Sequence, residues 1–173
     1  MINTDKTFCT YENIYYEMWE IAGRYTEIAQ FRVIGKSHDD RMIPMVQIGK
    51  GAETIFCIAG LSGRDQCMPV YLMHMLKEYV KAWECQWKLE NLYDLRVLLE
   101  DWKICFIPLL NPDGYEIYEK DFYAIRNPIY RQMLRMQEIH AKNLVCNRQR
   151  GKSAKKFPDT VLQKKTNSQS AGE

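Results

Sequence analysis

The chain has 173 residues, 46% hydrophobic and 12% aromatic, which is the size and composition of one domain able to bury a core. Its net charge of +2 hides an asymmetry: residues 1–147 carry 17 basic and 20 acidic side chains, whereas residues 148–173 carry 7 and 2. No stretch approaches the ~20 apolar residues of a membrane span and "MINTDKTF" has no apolar h-region, so a membrane helix is excluded and a cytoplasmic location expected.

From Thr10, an N-cap residue, the apolar side chains Tyr11, Ile14, Tyr15, Met18, Ile21, Ala22 and Tyr25 recur at three and four, which predicts an amphipathic helix. "QFRVIGKS" and "RMIPMVQIG" follow, joined through the turn-prone "HDDR", and read as adjacent antiparallel strands. "TIFCIAG" is apolar without alternation, the pattern of a strand covered on both faces of a parallel or mixed sheet. It leads into "GLSGRDQ". Pro69 suits the first turn of a helix that continues to about Trp83, and a shorter helix is expected over Leu92 to Trp102.

"ICFIPLL" is a second apolar strand, with "NPDGYE" read as a turn and Pro108 where no ladder bond is needed. Strand, helix, helix, strand is a crossover unit, so residues 54–59 and 104–110 should be parallel or near neighbours. The fold class is therefore α/β, a mixed parallel and antiparallel sheet flanked by helices. Ligands of open α/β sheets bind beyond the carboxyl ends of the strands, which places any site between "GLSGRDQ" and "NPDGYE".

The domain is expected to occupy residues 1–147, with residues 148–173 a basic, polar, partly disordered tail. A solvated tail is preferred to a nucleic-acid arm. Six cysteines, at 9, 57, 67, 85, 105 and 146, show no C-x-x-C spacing and read as reduced thiols. The three histidines, His38, His74 and His140, begin no H-x-x-E motif. His74 is expected to be packed or at the surface of its helix, and His38 solvated in a turn. "GLSGR" is half of a G-x-S-x-G nucleophile elbow, but Arg64 replaces its last glycine and no motif places a His and Asp pair, which sets a serine hydrolase aside.

Taken in order, "TYENIYYEMWEIAGRY", "VIGKSHDDRMIPMVQIG", "IFCIAGLSGRD" and "ICFIPLLNPDGYEI" resemble the N-terminal half of the zinc carboxypeptidases of bacterial type. The likeness covers residues 8 to about 130 and weakens to 158. It implies a truncated zinc-carboxypeptidase-like domain. The family's loop reads G-x-H-x-x-E, and its His and Glu are two of three zinc ligands, the metal polarising the scissile carbonyl and activating water. Here those positions hold Ser62 and Asp65. Serine is a poor zinc ligand beside imidazole, and Asp is one methylene shorter than Glu. Asp65 is read first as a cap on the following helix, Arg64 first as a surface ion-pair partner and Asp113 first as a turn residue.

The third zinc ligand, the substrate-closing tyrosine and the general-base glutamate of the family would all lie downstream of residue 173. The resemblance aligns Arg126 with the arginine that helps hold the carbonyl oxygen. For the Asn-Arg pair that binds the substrate carboxylate, two alignments compete. Asn147 and Arg148 keep the identities, whereas "RGKSAKKFP" keeps the flanks and puts Ala154 and Lys155 there. The expectation is a degenerate family member, not hydrolytic in this chain, holding no cofactor where the family holds zinc, and retaining peptide or carboxylate binding. The alternative is an active metallocarboxypeptidase cleaving C-terminal residues or cell-wall peptides. Expected partners are a peptide with a free C-terminal carboxylate and, through an open sheet edge, a second copy. No membrane partner is expected, and nucleic acid is disfavoured.

Overall fold

The computed structural model describes residues 10–89 and 93–136. Helix α1, Tyr11–Arg24, begins where Thr10 Oγ1 accepts from the Asn13 amide at 3.2 Å, and it buries Tyr11, Ile14, Met18, Ile21 and Ala22 along the expected stripe. Strands β1, Ala29–Lys36, and β2, Met42–Ile48, form the expected hairpin. Pro44 is tolerated inside β2 because β2 pairs with its inner neighbour only over Val46 to Ile48, and because β1 bulges between Val33 and Gly35 just opposite it.

Strand β3, Glu53–Ile58, leads through a loop into α2, Cys67–Cys85, which outruns its expected end by two residues. A two-residue pairing of β4, Lys88–Leu89, with β5, Tyr93–Asp94, precedes α3, Leu95–Asp101. Asp94 caps α3 through the Arg96 amide at 3.0 Å, so within the described residues the helix starts at Leu95 and Trp102 already belongs to β6, Trp102–Ile107. Then come α4, Pro112–Lys120, a 3-10 turn over Asp121–Ala124, and α5, Pro128–Met136. In this last stretch the sequence pattern marks only the turn at "NPDGYE".

The sheet order is β1-β2-β6-β3, antiparallel except for the parallel pair β3 and β6, whose register runs unbroken from Glu53 opposite Trp102 to Ile58 opposite Ile107. The crossover is as expected, an α/β fold with a mixed sheet and helices against it. One core joins α1, α2 and α3 to a single sheet face through residues such as Ile14, Met18, Val46, Met73, Leu76, Leu99 and Phe106. Met45, Cys105 and Ile107 form a smaller cluster on the other face. None of the described helices is long and apolar enough to cross a membrane.

Two expectations need correction. "TIFCIAG" is not covered on both faces: among the described residues β3 is an edge strand, and Ile55, Phe56 and Ile58 are 41%, 60% and 46% exposed. An apolar run reports what a strand was selected to be covered by, and the described residues do not supply that cover. "NPDGYE" is not a free turn but the start of α4. Asn111 is its N-cap, accepting from the Gly114 amide at 2.9 Å, and Pro112 takes the first helical position, where its missing donor costs nothing.

Candidate functional site at the carboxyl ends of the strands

β3 and β6 run parallel, and β2 runs against β6, so the loop after β3, the start of α4 and the turn that enters β2 gather at one end of the sheet. Backbone bonds join the first two. The Leu110 amide donates to Ala59 O at 3.1 Å, the Asn111 amide to Gly60 O at 2.9 Å, and Asn111 Nδ2 to Leu61 O at 3.3 Å. Gly60 has φ of +61°, and a Cβ there would stand 2.8 Å from Pro108 O, so the chain turns in a way only glycine makes easy. Gly63 packs against Gly114 so tightly that a Cβ would fall 2.0 Å from the Gly114 carbonyl oxygen.

Within this loop Ser62 is exposed and its Oγ accepts a long 3.4 Å bond from the Arg64 amide. The Asp65 carboxylate accepts from the Met68 amide at 3.2 Å, tying up one of the orphan donors that open α2. This is the capping role expected of it. Arg64 is exposed, and no ion pair among the described residues includes it. His74 lies exposed on α2. His38 is exposed too, but its Nε2 lies 3.2 Å from the Tyr130 hydroxyl, with the two rings edge to face.

The strongest polar construction at this end was not foreseen. Arg41, 3% exposed, places Nη1 at 2.8 Å from both Asp39 Oδ2 and Asp113 Oδ1, and its Nη2 donates to the Ala124 carbonyl. Asp113 also accepts from Ser37 Oγ at 2.7 Å and from the Asp39 amide at 2.9 Å, so it holds the hairpin and is no turn residue. Asp39 accepts the amides of Arg126 at 2.7 Å and Asn127 at 3.0 Å. Burial alone would raise the Asp39 carboxyl, but those two amides and the Arg41 guanidinium outweigh it and hold the group below its ordinary range. Burial also works against the Arg41 charge, and Asp113 and Asp39 reverse it.

Arg126 is thereby fixed at its backbone, with its side chain exposed and, among the described residues, in no ion pair. Its charge reaches the buried Tyr11 phenol, where burial raises the pKa and Arg126 opposes the rise. Tyr11 donates its hydroxyl to Met42 O at 2.9 Å and its amide to Glu116 Oε1 at 3.0 Å. The "NPDGYE" segment thus spends Asp113 on the hairpin and Glu116 on capping α1. Asn147, Arg148 and the competing Ala154 and Lys155 lie outside the described residues, as do Cys9, Cys146, His140 and the tail. In the sequence "HDDR" reads as a turn; the signal of the network was an arginine two residues from an aspartate at a strand start.

Among the described residues no group of three or more His, Cys, Asp and Glu side chains is placed to hold a metal ion. A hollow of about 210 Å³ lined by Arg24, Tyr25, Thr26, Glu27, Trp83 and Glu84 sits at the opposite end, where α1 and α2 finish.

The sequence profile of the zinc carboxypeptidases matches residues 14–171, and the chain belongs to that family. Among solved structures it is similar to bovine thrombin-activatable fibrinolysis inhibitor bound to tick carboxypeptidase inhibitor, at 18% identity over 65% of this chain and 34% of that one, with a TM-score of 0.53. A second structure of thrombin activatable fibrinolysis inhibitor gives 18% identity, 65% and 28% coverage and a TM-score of 0.54. A carboxypeptidase A from Shewanella denitrificans, described as putative, gives 14% identity, 74% and 36% coverage and a TM-score of 0.50. These likenesses concern the fold. The chain spans about a third of the length of the chains it resembles. No curated protein matches it in sequence.

Proposed function

We propose that this chain is a zinc-carboxypeptidase-family domain that does not hydrolyse peptides by itself and binds peptide ligands through a free terminal carboxylate. The observation that carries the first half is the state of the loop after β3. Of the two positions where the family resemblance puts zinc ligands, Ser62 offers a neutral hydroxyl and Asp65 spends its carboxylate on the start of α2. These residues do not fit a zinc ion. The second half rests on Arg126, whose backbone is anchored by Asp39 while its guanidinium stays exposed and unpaired among the described residues, beside the end of the sheet where ligands of such folds bind.

Elemental analysis of purified protein after dialysis against a weak chelator tests the first half. Well under one zinc per chain is expected. Tightly held stoichiometric zinc would overturn this reading and favour an active metallocarboxypeptidase, for which family membership is the support.

A further inference from the structure

We infer that Asp39 is a positioning residue for Arg126: its carboxylate sets the backbone around Arg126 before any ligand arrives, so that the guanidinium meets a peptide carboxylate from a loop already in place. This role depends on the carboxylate reading of Arg126 given above and accounts for how the affinity of that site is made. Arg126 stands between the 3-10 turn and α5, in a stretch with neither helical nor strand bonding. A loop of this kind that had to order itself on binding would lose affinity by doing so.

Its backbone is instead held group by group. Asp39 Oδ2 accepts the Arg126 amide at 2.7 Å and Oδ1 the Asn127 amide at 3.0 Å, so one carboxylate from the β1-β2 turn, 87 residues from Arg126, spans two consecutive peptide units. Arg41 Nη2 donates to Ala124 O, Arg131 Nε to Ile125 O at 2.9 Å, and the Arg131 amide to Asn127 O at 3.1 Å. Ala124 and Ile125 are buried, whereas the Arg126 side chain is exposed. The backbone is fixed and the guanidinium is left facing solvent.

Arg41 lets Asp39 do this without blocking the site. An uncompensated carboxylate beside Arg126 would draw its guanidinium into an ion pair and compete with the carboxylate of a ligand. Arg41 Nη1, 2.8 Å from Asp39 Oδ2, answers that charge first, and no ion pair among the described residues joins Asp39 to Arg126. The role is also specific to Asp39. Asp113 shares Arg41 but spends its other bonds on Ser37 Oγ and the Asp39 amide, not on the loop.

The test is calorimetry on the full 173-residue chain with an N-acetylated tripeptide bearing a free C-terminal carboxylate and with the same peptide amidated. Wild type, Asp39→Asn, Arg126→Ala and the double variant are compared at a temperature where circular dichroism shows each to be folded. Asp39→Asn is expected to lose on the order of tenfold in affinity for the free peptide, the cost of ordering about one loop residue on binding, and nothing for the amide. Loss of folded protein alone would lower both. In the Arg126→Ala background the same substitution should change neither affinity, because Asp39 acts through Arg126. Hydrogen exchange on wild type covers the case in which Asp39→Asn does not fold: the Arg126 and Asn127 amides should be as protected without peptide as with it. Equal affinity of wild type for the two peptides would overturn the carboxylate reading and the positioning role together. A wild-type preference for the free peptide that survives in Asp39→Asn, an equal loss for both peptides, a further loss in the double variant, or amide protection that arises only with peptide would overturn the positioning role and leave the carboxylate reading standing.

Discussion

Arg41 and Asp113, 72 residues apart in sequence, meet at 2.8 Å and lock the β1-β2 turn onto the first turn of α4. The pair is nearly dry, and a second carboxylate, Asp39, shares the same Nη1 at 2.8 Å. Removing one partner of such a group leaves a buried charge with less compensation, which is why these residues should matter more than their number suggests.

Asp39→Asn should therefore destabilise the fold by roughly 3 kcal/mol, since it weakens a buried charge pair and two anchoring amide bonds together. Denaturant titration followed by far-UV circular dichroism measures it. A change below about 0.5 kcal/mol, the scale of ordinary surface substitutions, would show that Asp39 carries no such load.

The same group predicts a pH dependence. Its carboxyl titrates below its ordinary value near 3.8 in the folded chain, so its contribution is complete above that value and disappears as pH falls through the lower folded value. The stability difference between wild type and Asp39→Asn should be flat from neutral pH to about pH 5 and shrink steadily below about pH 4. A difference that grew on acidification would contradict the sign.

Gly63→Ala should cost about 1 to 3 kcal/mol, because the new Cβ would fall 2.0 Å from the Gly114 carbonyl oxygen and neither backbone can yield cheaply. The melting temperature reports it. Gly23→Ala is the control: a Cβ there meets nothing within 4 Å, and it lies inside α1, so it should be neutral or stabilising.

Restoring the family's loop residues, Ser62→His with Asp65→Glu, should raise zinc affinity only weakly and bring little peptidase activity, since two ligands hold zinc poorly. Robust hydrolysis by the double variant would show that the rest of the machinery is present. The longer glutamate side chain must also take over the bond that Asp65 makes to the Met68 amide, so a small loss of helix stability, about 1 kcal/mol or less, should accompany it.

Carboxylate recognition predicts that Arg126→Ala weakens binding of a free-C-terminal peptide by about ten- to a hundredfold, that amidating the peptide costs wild type a similar factor, and that the two losses do not add. Calorimetry with both peptides and both proteins measures this. Equal affinity for free and amidated peptides would rule the carboxylate out. The same comparison with Arg148→Ala tests the residue that lies outside the described part of the chain.

Local pattern was enough for α1, the hairpin, the crossover from β3 to β6 and the place of the loops at the carboxyl ends, because each depends on periodicity, turn residues and connection length within a few residues of itself. The family resemblance, and not the local pattern, singled out Ser62 and Asp65 as the positions where the family holds zinc ligands. Contact across sequence decided the rest. "HDDR" and "NPDGYE" both read as turns, and only their meeting makes Arg41, Asp39 and Asp113 one buried network that fixes Arg126. The composition of "TIFCIAG" called for cover on both faces, but cover comes from neighbouring elements, and among the described residues the strand order leaves Phe56 and Ile58 exposed at an edge. A sequence states how apolar a strand is; which strands stand beside it is settled by the closing of long loops, whose ends the local pattern does not encode.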